Sequence, residues 1–398
     1  MKELNMRILA CILLCLSATL VHAQSPSVSG PATAPEQDVR RQQFQSEARK
    51  GIEEPSAVVL YGLLDTGVEM VTNVGPAGAH LVREPALTGS LPSRWGIRVN
   101  EDLGGGLQAI VVLESGLLIP TGGEGQGGRL FGRQSFVGFA GKWGAFTLGR
   151  QYTMLFWSLI DADVLGPNIY GIGSLDSYIP NARADNAVVY RGTFNGLTIG
   201  SSFSLGRDTV NAGPSPVGTN CPGENASDPM ACREWSALLK YDQPRWGAAL
   251  AADEFRGGPG AFAGLISSKM KDRRVVANGY VRLGGGLFSA GLVSRENQAV
   301  PTPHSDLWFV GASYPLFPAF TLDAEAFRLT IRDSANKANL FALRGTYNLS
   351  KRTALYATAG RIQNDGALAD SVSTGATGSN PRPGTDQSGT AVGLRITF

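Results

Sequence analysis

Charged residues of opposite sign fall into two sets that could act on a solute without bonding to it. The acidic set lies in one long segment rich in glycine and proline, residues 151–184, and consists of Asp161, Asp163 and Asp176. The basic set lies where apolar and polar residues alternate, and consists of Arg94, Arg98 and Arg191. Facing rows of opposite charge produce a field that orients dipolar solutes and sorts ions. Such chemistry selects solutes rather than transforming them.

The sequence carries no pattern typical of catalysis, metal binding or nucleic-acid binding. After the N-terminal leader described next, the histidines are His80 and His304, both in predicted loops and without the partners of a nucleophilic triad. Cysteine, histidine and carboxylate residues show no metal-ligand spacing. The formal net charge of only +2 does not indicate a basic surface that would bind nucleic acid. We therefore predict neither an enzyme, nor a cofactor, nor a metal site.

The N-terminal region has the pattern of a leader followed by a polar extension. Lys2 and Arg7 precede an apolar run that ends in Val-His-Ala, which predicts a secretory signal peptide over residues 1–23. Residues 24–55 are strongly polar, and we expect a periplasmic extension that is either disordered or a short helix. The remaining residues, 56–398, form the predicted main domain.

Segments of alternating apolar and polar residues recur along the main domain. Each is long enough for a tilted strand to cross a bilayer. The clearest, residues 197–206, places Leu197, Ile199, Ser201, Phe203 and Leu205 on one side. In another, Trp95 and Ile97 on the lipid side turn Arg94 and Arg98 inward. An apolar face toward lipid and a polar face toward water are typical of a transmembrane barrel.

Short and long connections alternate between these segments. The predicted tight turns are residues 104–106, 141–144, 195–196, 243–247, 284–286, 315–318 and 348–352. The predicted long loops are residues 73–92, 118–128, 151–184, 207–233, 256–270, 296–304, 332–338 and 363–387. Eight long loops and seven turns require sixteen strands. We therefore predict an all-β fold, a 16-stranded antiparallel transmembrane β-barrel in the cell outer membrane.

Three further signals fit an exported barrel. The chain ends on Phe398 after an alternating strand, which resembles the outer-membrane assembly signal of bacterial barrels. Cys221 and Cys232, eleven positions apart in a loop-like segment, predict a disulfide, since disulfides persist in oxidising compartments. Tryptophans near predicted strand ends, including Trp157 and Trp308, indicate aromatic girdles at the membrane interfaces.

Three stretches in order resemble the Gram-negative general porins, especially the β-proteobacterial branch. They are Val-Leu-Tyr-Gly-Leu-Leu-Asp at residues 59–65, Ser-Arg-Trp-Gly-Ile with Glu-Asp-Leu-Gly-Gly-Gly-Leu over 93–107, and Gly-Arg-Leu-Phe-Gly-Arg-Gln with Phe-Thr-Leu-Gly-Arg-Gln-Tyr over 128–152. The resemblance covers about residues 57–398. The polar extension, residues 24–55, departs from it, because porins of this branch usually begin their first strand almost directly after the signal.

The resemblance implies a homotrimer of barrels whose third loop folds inward to narrow the pore. By motif, Arg94, Arg133 and Arg191 match the basic cluster of general porins, and Asp176 falls in the loop that supplies the acidic side. We therefore predict passive diffusion of small hydrophilic solutes and ions through a charged constriction, with a slight preference for anions. Expected partners are outer-membrane lipid, lipopolysaccharide and the barrel-assembly machinery.

Alternatives remain open at this point. Tyr61, Asp65 and Glu69 share one face of the first strand, and they either line the lumen or form ion pairs near a rim. Aromatic residues in the third loop, Phe156, Trp157, Tyr170 and Tyr178, leave room for a substrate-selective channel for an anionic or sugar-type nutrient. The long loop at residues 207–233 would also suit a surface adhesin.

Overall fold

The structure, a computed structural model, describes residues 56–87, 89–208, 221–261, 264–374 and 378–398. The predicted signal peptide, residues 1–23, and the predicted extension, residues 24–55, lie outside the described residues. Within these ranges no helix is both long enough and apolar enough to cross a membrane.

One antiparallel sheet forms the wall. It contains eighteen strands, of which Ala79–Arg83 and Gly123–Glu124 are short loop strands, so sixteen remain for the wall. These are β1 Ala57–Val74, β2 Arg94–Gly104, β3 Leu107–Leu118, β4 Gln134–Gly141, β5 Gly144–Tyr152, β6 Arg183–Phe194, β7 Leu197–Ser204, β8 Glu234–Asp242, β9 Trp246–Arg256, β10 Lys271–Leu283, β11 Gly286–Asn297, β12 His304–Phe317, β13 Phe320–Ile331, β14 Lys337–Asn348, β15 Thr353–Asp365 and β16 Gln387–Thr397. The predicted strand number is confirmed.

The sheet closes on itself through its first strand. The N-terminal part of β1, residues 57–63, pairs with β2, and Leu63 lies opposite Arg94. The same strand also pairs with β16, from Leu63 opposite Thr397 to Val71 opposite Gly389. Closure satisfies the backbone hydrogen bonds of both terminal strands, which a sheet in lipid requires.

Side chains alternate across the wall as the sequence predicts. On β7, Ile199, Ser201 and Phe203 are exposed on the outer face, whereas Thr198 and Ser202 are buried. On β10 the outward Val275 is about half exposed and the next residue, Val276, is fully buried. The outer face is therefore apolar and the inner face carries the polar groups.

The tight turns lie where they were predicted, with one displacement. Asn195 and Gly196 both have positive φ, as a two-residue hairpin turn requires. The turn predicted at residues 315–318 instead falls between Phe317 and Phe320, and Pro315 belongs to β12. The β12–β13 register is irregular between Pro315 and Phe317, which accommodates a residue that cannot donate to the ladder.

Helical structure is confined to short loop segments among the described residues. Helix α1, Met154–Leu159, begins the third long loop, and single 3-10 turns at Ile172–Ser174 and Ile179–Asn181 follow in it. A four-residue segment, Gly125–Gly128, contains non-helical backbone. Cys221 and Cys232 form the predicted disulfide, with Cα atoms 5.2 Å apart.

Candidate functional site

The third long loop, between β5 and β6, bonds to inward side chains around the wall. Near its start the Met154 amide donates to Ser236 Oγ on β8 at 2.8 Å, and Asn278 on β10 donates to the Ser158 carbonyl at 3.0 Å. Further along, the Leu165 amide donates to Glu325 on β13 at 3.1 Å. A segment anchored to β8, β10 and β13 lies against the inner face of the barrel.

The tip of the third loop meets the eighth long loop. Tyr170 is fully buried against β15 and β16, where its ring approaches Gly360 and Gly389. Ser174 Oγ donates to the Val372 carbonyl at 2.8 Å, and Thr374 Oγ1 donates to the Asn168 carbonyl at 3.0 Å. Burial raises the pKa of Tyr170, so its hydroxyl stays protonated at neutral pH.

The three predicted aspartates bond to groups other than the predicted arginines. Asp161 pairs with Lys240 on β8, and Asp163 Oδ1 accepts a hydrogen bond from the Gly166 amide at 2.7 Å. Asp176 pairs with Arg274 Nε on β10 at 2.8 Å and with Arg295 on β11 at 3.6 Å. Asp161 and Asp176 are therefore bound on the β8–β11 side of the barrel.

The environment of Asp176 strongly favours its charged form. Burial alone would raise the pKa of its carboxyl, but the charges of Arg274 and Arg295 and the hydrogen bond from Arg274 outweigh that effect. The pKa of Asp176 falls to about 2. This anchor of the third loop is consequently ionised throughout the physiological range.

A basic cluster forms on the other side, around β2, β3 and β6. Arg133 Nε lies 2.7 Å from Glu114 Oε1, and Arg94 Nε lies 3.6 Å from Glu114 Oε2. Arg133 and Arg183 both donate to the Tyr152 hydroxyl, at 2.7 and 2.5 Å. Three buried guanidinium groups thus gather around one carboxylate and one phenol.

Arg133 points into the lumen although Val137 and Phe139 on the following strand face lipid. The strand β4 begins at Gln134, so Arg133 precedes it and does not follow its alternation. The Arg133 amide still bonds to the Glu114 carbonyl at 3.1 Å, which fixes the side chain beside β3.

Two of the predicted arginines take other positions. The Arg191 guanidinium lies 3.5 Å from the centroid of the Trp157 ring in helix α1. The Arg98 guanidinium lies 4.9 Å from the centroid of the Tyr61 ring. Trp157 is thus a lumen residue, and the prediction that it belongs to a membrane girdle was wrong. Trp308, by contrast, is exposed on the outer face.

Glu114 and Arg183 are members of the cluster that were not predicted from the sequence. Glu114 was detectable, because it shares the inward face of β3 with Gln108, Ile110 and Val112. Arg183 was not predicted, because it lies in residues 151–184, which were predicted as a loop, whereas β6 begins at Arg183. Alternation along β6 does link it to Arg191, since Ala187 and Val189 are buried on the same face.

The first-strand residues all face inward and each has a partner. The Tyr61 hydroxyl donates to Glu114 Oε2 at 3.0 Å, next to the basic cluster. Asp65 accepts a hydrogen bond from the Tyr356 hydroxyl at 2.6 Å. Glu69 pairs with Arg83 of the first loop at 2.7 Å. Of the two alternatives, Asp65 lines the interior, and Glu69 forms an ion pair with a loop residue.

The architecture and the charged interior have counterparts among known proteins. The family model described as Gram-negative porin matches residues 10–367. This chain belongs to the Gram-negative porin family. An outer membrane porin protein of Bordetella pertussis is 29% identical over 358 residues, which cover 80% of this porin and 92% of the relative. Outer membrane porin protein 32 of Delftia acidovorans is 26% identical and covers 86% of this porin and 94% of its own length.

Solved structures share the fold of this porin. The anion-selective porin from Comamonas acidovorans superposes with a TM-score of 0.71 at 23% identity, covering 86% of this porin and all of that chain. The trimer form of OmpT, an outer membrane protein of Vibrio cholerae, superposes with a TM-score of 0.60 at 14% identity, covering 87% of this porin and all of that chain. This chain is therefore an outer-membrane porin, a channel for passive diffusion of small hydrophilic solutes.

Proposed function

We propose that this porin prefers anions and that Arg94, Arg133 and Arg183 provide the preference. The observation that carries the proposal is the convergence of these three guanidinium groups on Glu114 and Tyr152. Tyrosine is neutral at physiological pH, so the cluster holds three positive charges and one negative charge, a local excess of +2. Fixed positive charge along a narrow aqueous path favours anions.

Two acidic residues of the third loop, Asp161 and Asp176, form their ion pairs away from this cluster. Asp161 is matched by Lys240, and Asp176 is matched by Arg274 and Arg295 on the opposite wall. The net field at the cluster is therefore set by groups on β2, β3 and β6. The Comamonas acidovorans porin of the same fold is described as anion-selective, which supports the proposal.

We further infer the biological setting of the channel. It is a pore rather than an enzyme, and it assembles as a homotrimer, as supported by the trimer form of Vibrio cholerae OmpT.

The inferred export pathway concerns the two ends of the chain. Residues 1–23 are removed on export, and residues 24–55 lie in the periplasm. Phe398 directs insertion by the barrel-assembly machinery, and the outer face contacts membrane lipid and lipopolysaccharide.

Reversal potentials in planar bilayers test the anion preference. Across a potassium chloride gradient, the wild-type channel should favour chloride, and Arg94→Ser, Arg133→Ser and Arg183→Ser should each shift the reversal potential toward cations. Arg328→Ser is the matched control, because Arg328 faces outward on β13. Unchanged selectivity in all three cluster variants would refute the assignment.

A further inference from the structure

A second chain segment, residues 89–93 just before β2, also lies inside the barrel. We call it the inner segment. Ser90, Leu91 and Ser93 are buried. The segment is tied to β1 at its C-terminal end, where Ser93 Oγ accepts a hydrogen bond from the Asp65 amide at 2.9 Å. Its N-terminal end is the part that reaches across to other strands.

Three inward side chains on adjacent strands hold the inner segment. The Gly89 amide donates to the Tyr356 hydroxyl on β15 at 3.2 Å. Arg395 Nη1 on β16 donates to Ser90 Oγ at 2.7 Å. The Leu91 amide donates to Asp65 Oδ2 on β1 at 2.9 Å. Because these partners project from the inner faces of β15, β16 and β1, the segment covers the lumen side of the wall there.

Gly89 fits closely against this part of the wall. A Cβ atom at position 89 would lie 2.4 Å from a ring carbon of Tyr356 and 2.9 Å from the methyl carbon of Thr358. A larger residue would therefore push the segment away from β15. The absence of a side chain lets the backbone come within hydrogen-bonding distance of Tyr356.

Arg344 connects the inner segment to the third loop. Its side chain is fully buried, and Nη2 lies 2.9 Å from Asp323 on the neighbouring strand β13. From that position Nη1 donates to the Leu165 carbonyl of the third loop at 3.1 Å and to the Gly89 carbonyl at 3.5 Å. One guanidinium group therefore fixes both lumen segments to the same point of the wall.

We propose that the inner segment is a second narrowing element of the pore and that Arg344 sets its width by holding Gly89 and Leu165 together. The third loop and the inner segment then fill the β13–β16 side of the lumen. The basic cluster adjoins the C-terminal end of the inner segment, where Arg94 Nη1 donates to the Pro92 carbonyl at 2.9 Å, so solutes that pass the segment also pass the cluster. This inference rests on the proposed function, since it concerns the size limit of the same channel.

Arg344→Lys is the primary test, because it keeps the charge beside Asp323. A lysine ammonium group has one nitrogen, so it cannot bond to the Gly89 carbonyl, the Leu165 carbonyl and the Asp323 carboxylate in the geometry of the planar guanidinium group. In liposome-swelling assays with neutral sugars of increasing size, we expect the variant to raise the flux of the largest permeant sugar by about twofold, because flux follows the open cross-section. Arg328→Lys, on the outer face of β13, is the matched control.

Tyr356→Phe provides a second test that removes one hydroxyl and no charge. It leaves the Gly89 amide and Asp65 Oδ1 without this partner, so sugar flux should rise in the same direction but by less. Tyr347→Phe, at an exposed outer position of β14, is its control. If Arg344→Lys does not fold, judged by heat-modifiable migration in gels, Tyr356→Phe decides the outcome.

The outcomes separate the two proposals. Larger sugar flux in Arg344→Lys or Tyr356→Phe, with neither control changed, supports the inner segment as a narrowing element. Wild-type sugar flux in both variants overturns it, even when the arginine-to-serine variants alter ion selectivity. Altered sugar flux with wild-type selectivity in all three serine variants overturns only the anion assignment.

Discussion

The guanidinium of Arg191 on β6 stacks 3.5 Å from the centroid of the Trp157 ring, joining the wall to helix α1 of the third loop. Trp157 also meets Phe156 edge to face, at a centroid distance of 5.6 Å. Helix α1 is six residues long, too short to be stable by itself, so its position depends on such contacts. Arg191 therefore helps to position the third loop and is not a member of the basic cluster.

Arg191→Ala should loosen the start of the third loop. A buried cation–π contact contributes about 1 kcal/mol, so the variant should fold normally but show greater open-channel current noise than wild type. Single-channel recording at fixed voltage measures this noise. Arg282→Ala removes a similar contact, with Tyr280 on β10, and serves as control. Open-channel current noise at the wild-type level in Arg191→Ala would contradict this positioning role of Arg191.

Glu114→Gln should increase the preference for anions. The substitution removes the one carboxylate that bonds Arg94 and Arg133, which raises the local excess charge from +2 to +3. We expect about a twofold rise in the chloride-to-potassium permeability ratio, measured from reversal potentials. Glu101→Gln, at an exposed position of β2, should leave the ratio unchanged. An unchanged ratio would show that Glu114 lies outside the ion path.

Acid should release the Asp176 anchor only at very low pH. Because the pKa of Asp176 is about 2 in the folded chain, below its ordinary value, its stabilising effect is present above the ordinary pKa and is lost as pH falls through about 2. Sugar flux should therefore stay constant from neutral pH to about pH 4. Asp176→Asn should show altered flux at every pH. Acid-induced change in wild type near pH 5 would contradict this assignment.

The eighth loop should respond to pH in the opposite sense. Burial raises the pKa of Asp370 to about 6, so the loop is more stable when this carboxyl is protonated, and that stability is lost as pH rises through about 6. Limited proteolysis should cut the eighth loop faster at about pH 7.5 than at about pH 5. Asp370→Asn, which is neutral at both, should remove the difference. Equal cleavage of wild type at both pH values would rule the effect out.

The wall was predictable from sequence, whereas the interior was predictable only in part. A strand has a side-chain period of two, so residues such as Ile199 and Ser202 reveal their faces without tertiary information. Arg94 and Arg133 were found in the same way or by motif. Arg183 was missed because it was placed in the loop predicted at residues 151–184, whereas β6 begins at Arg183. The partners of Asp161 and Asp176 depend on the path of a long loop, which its own sequence does not determine.

The inner segment illustrates the same limit. Residues 89–92 belong to the long loop predicted at 73–92, and nothing in their composition indicates burial. Their position follows from groups far along the chain, since Tyr356 and Arg395 are more than 260 residues away. Only the closed sheet brings these partners to Gly89 and Ser90.

The pairing of β1 with β16 ties the two ends of the domain together. Gly62 and Phe398 exchange two backbone hydrogen bonds, each 3.0 Å long, at this junction. Because β16 follows the other fifteen wall strands in the chain, the cylinder can close only after all of them have been synthesised. Without Phe398 the seam would lose both Gly62 bonds and would begin at Leu63 opposite Thr397.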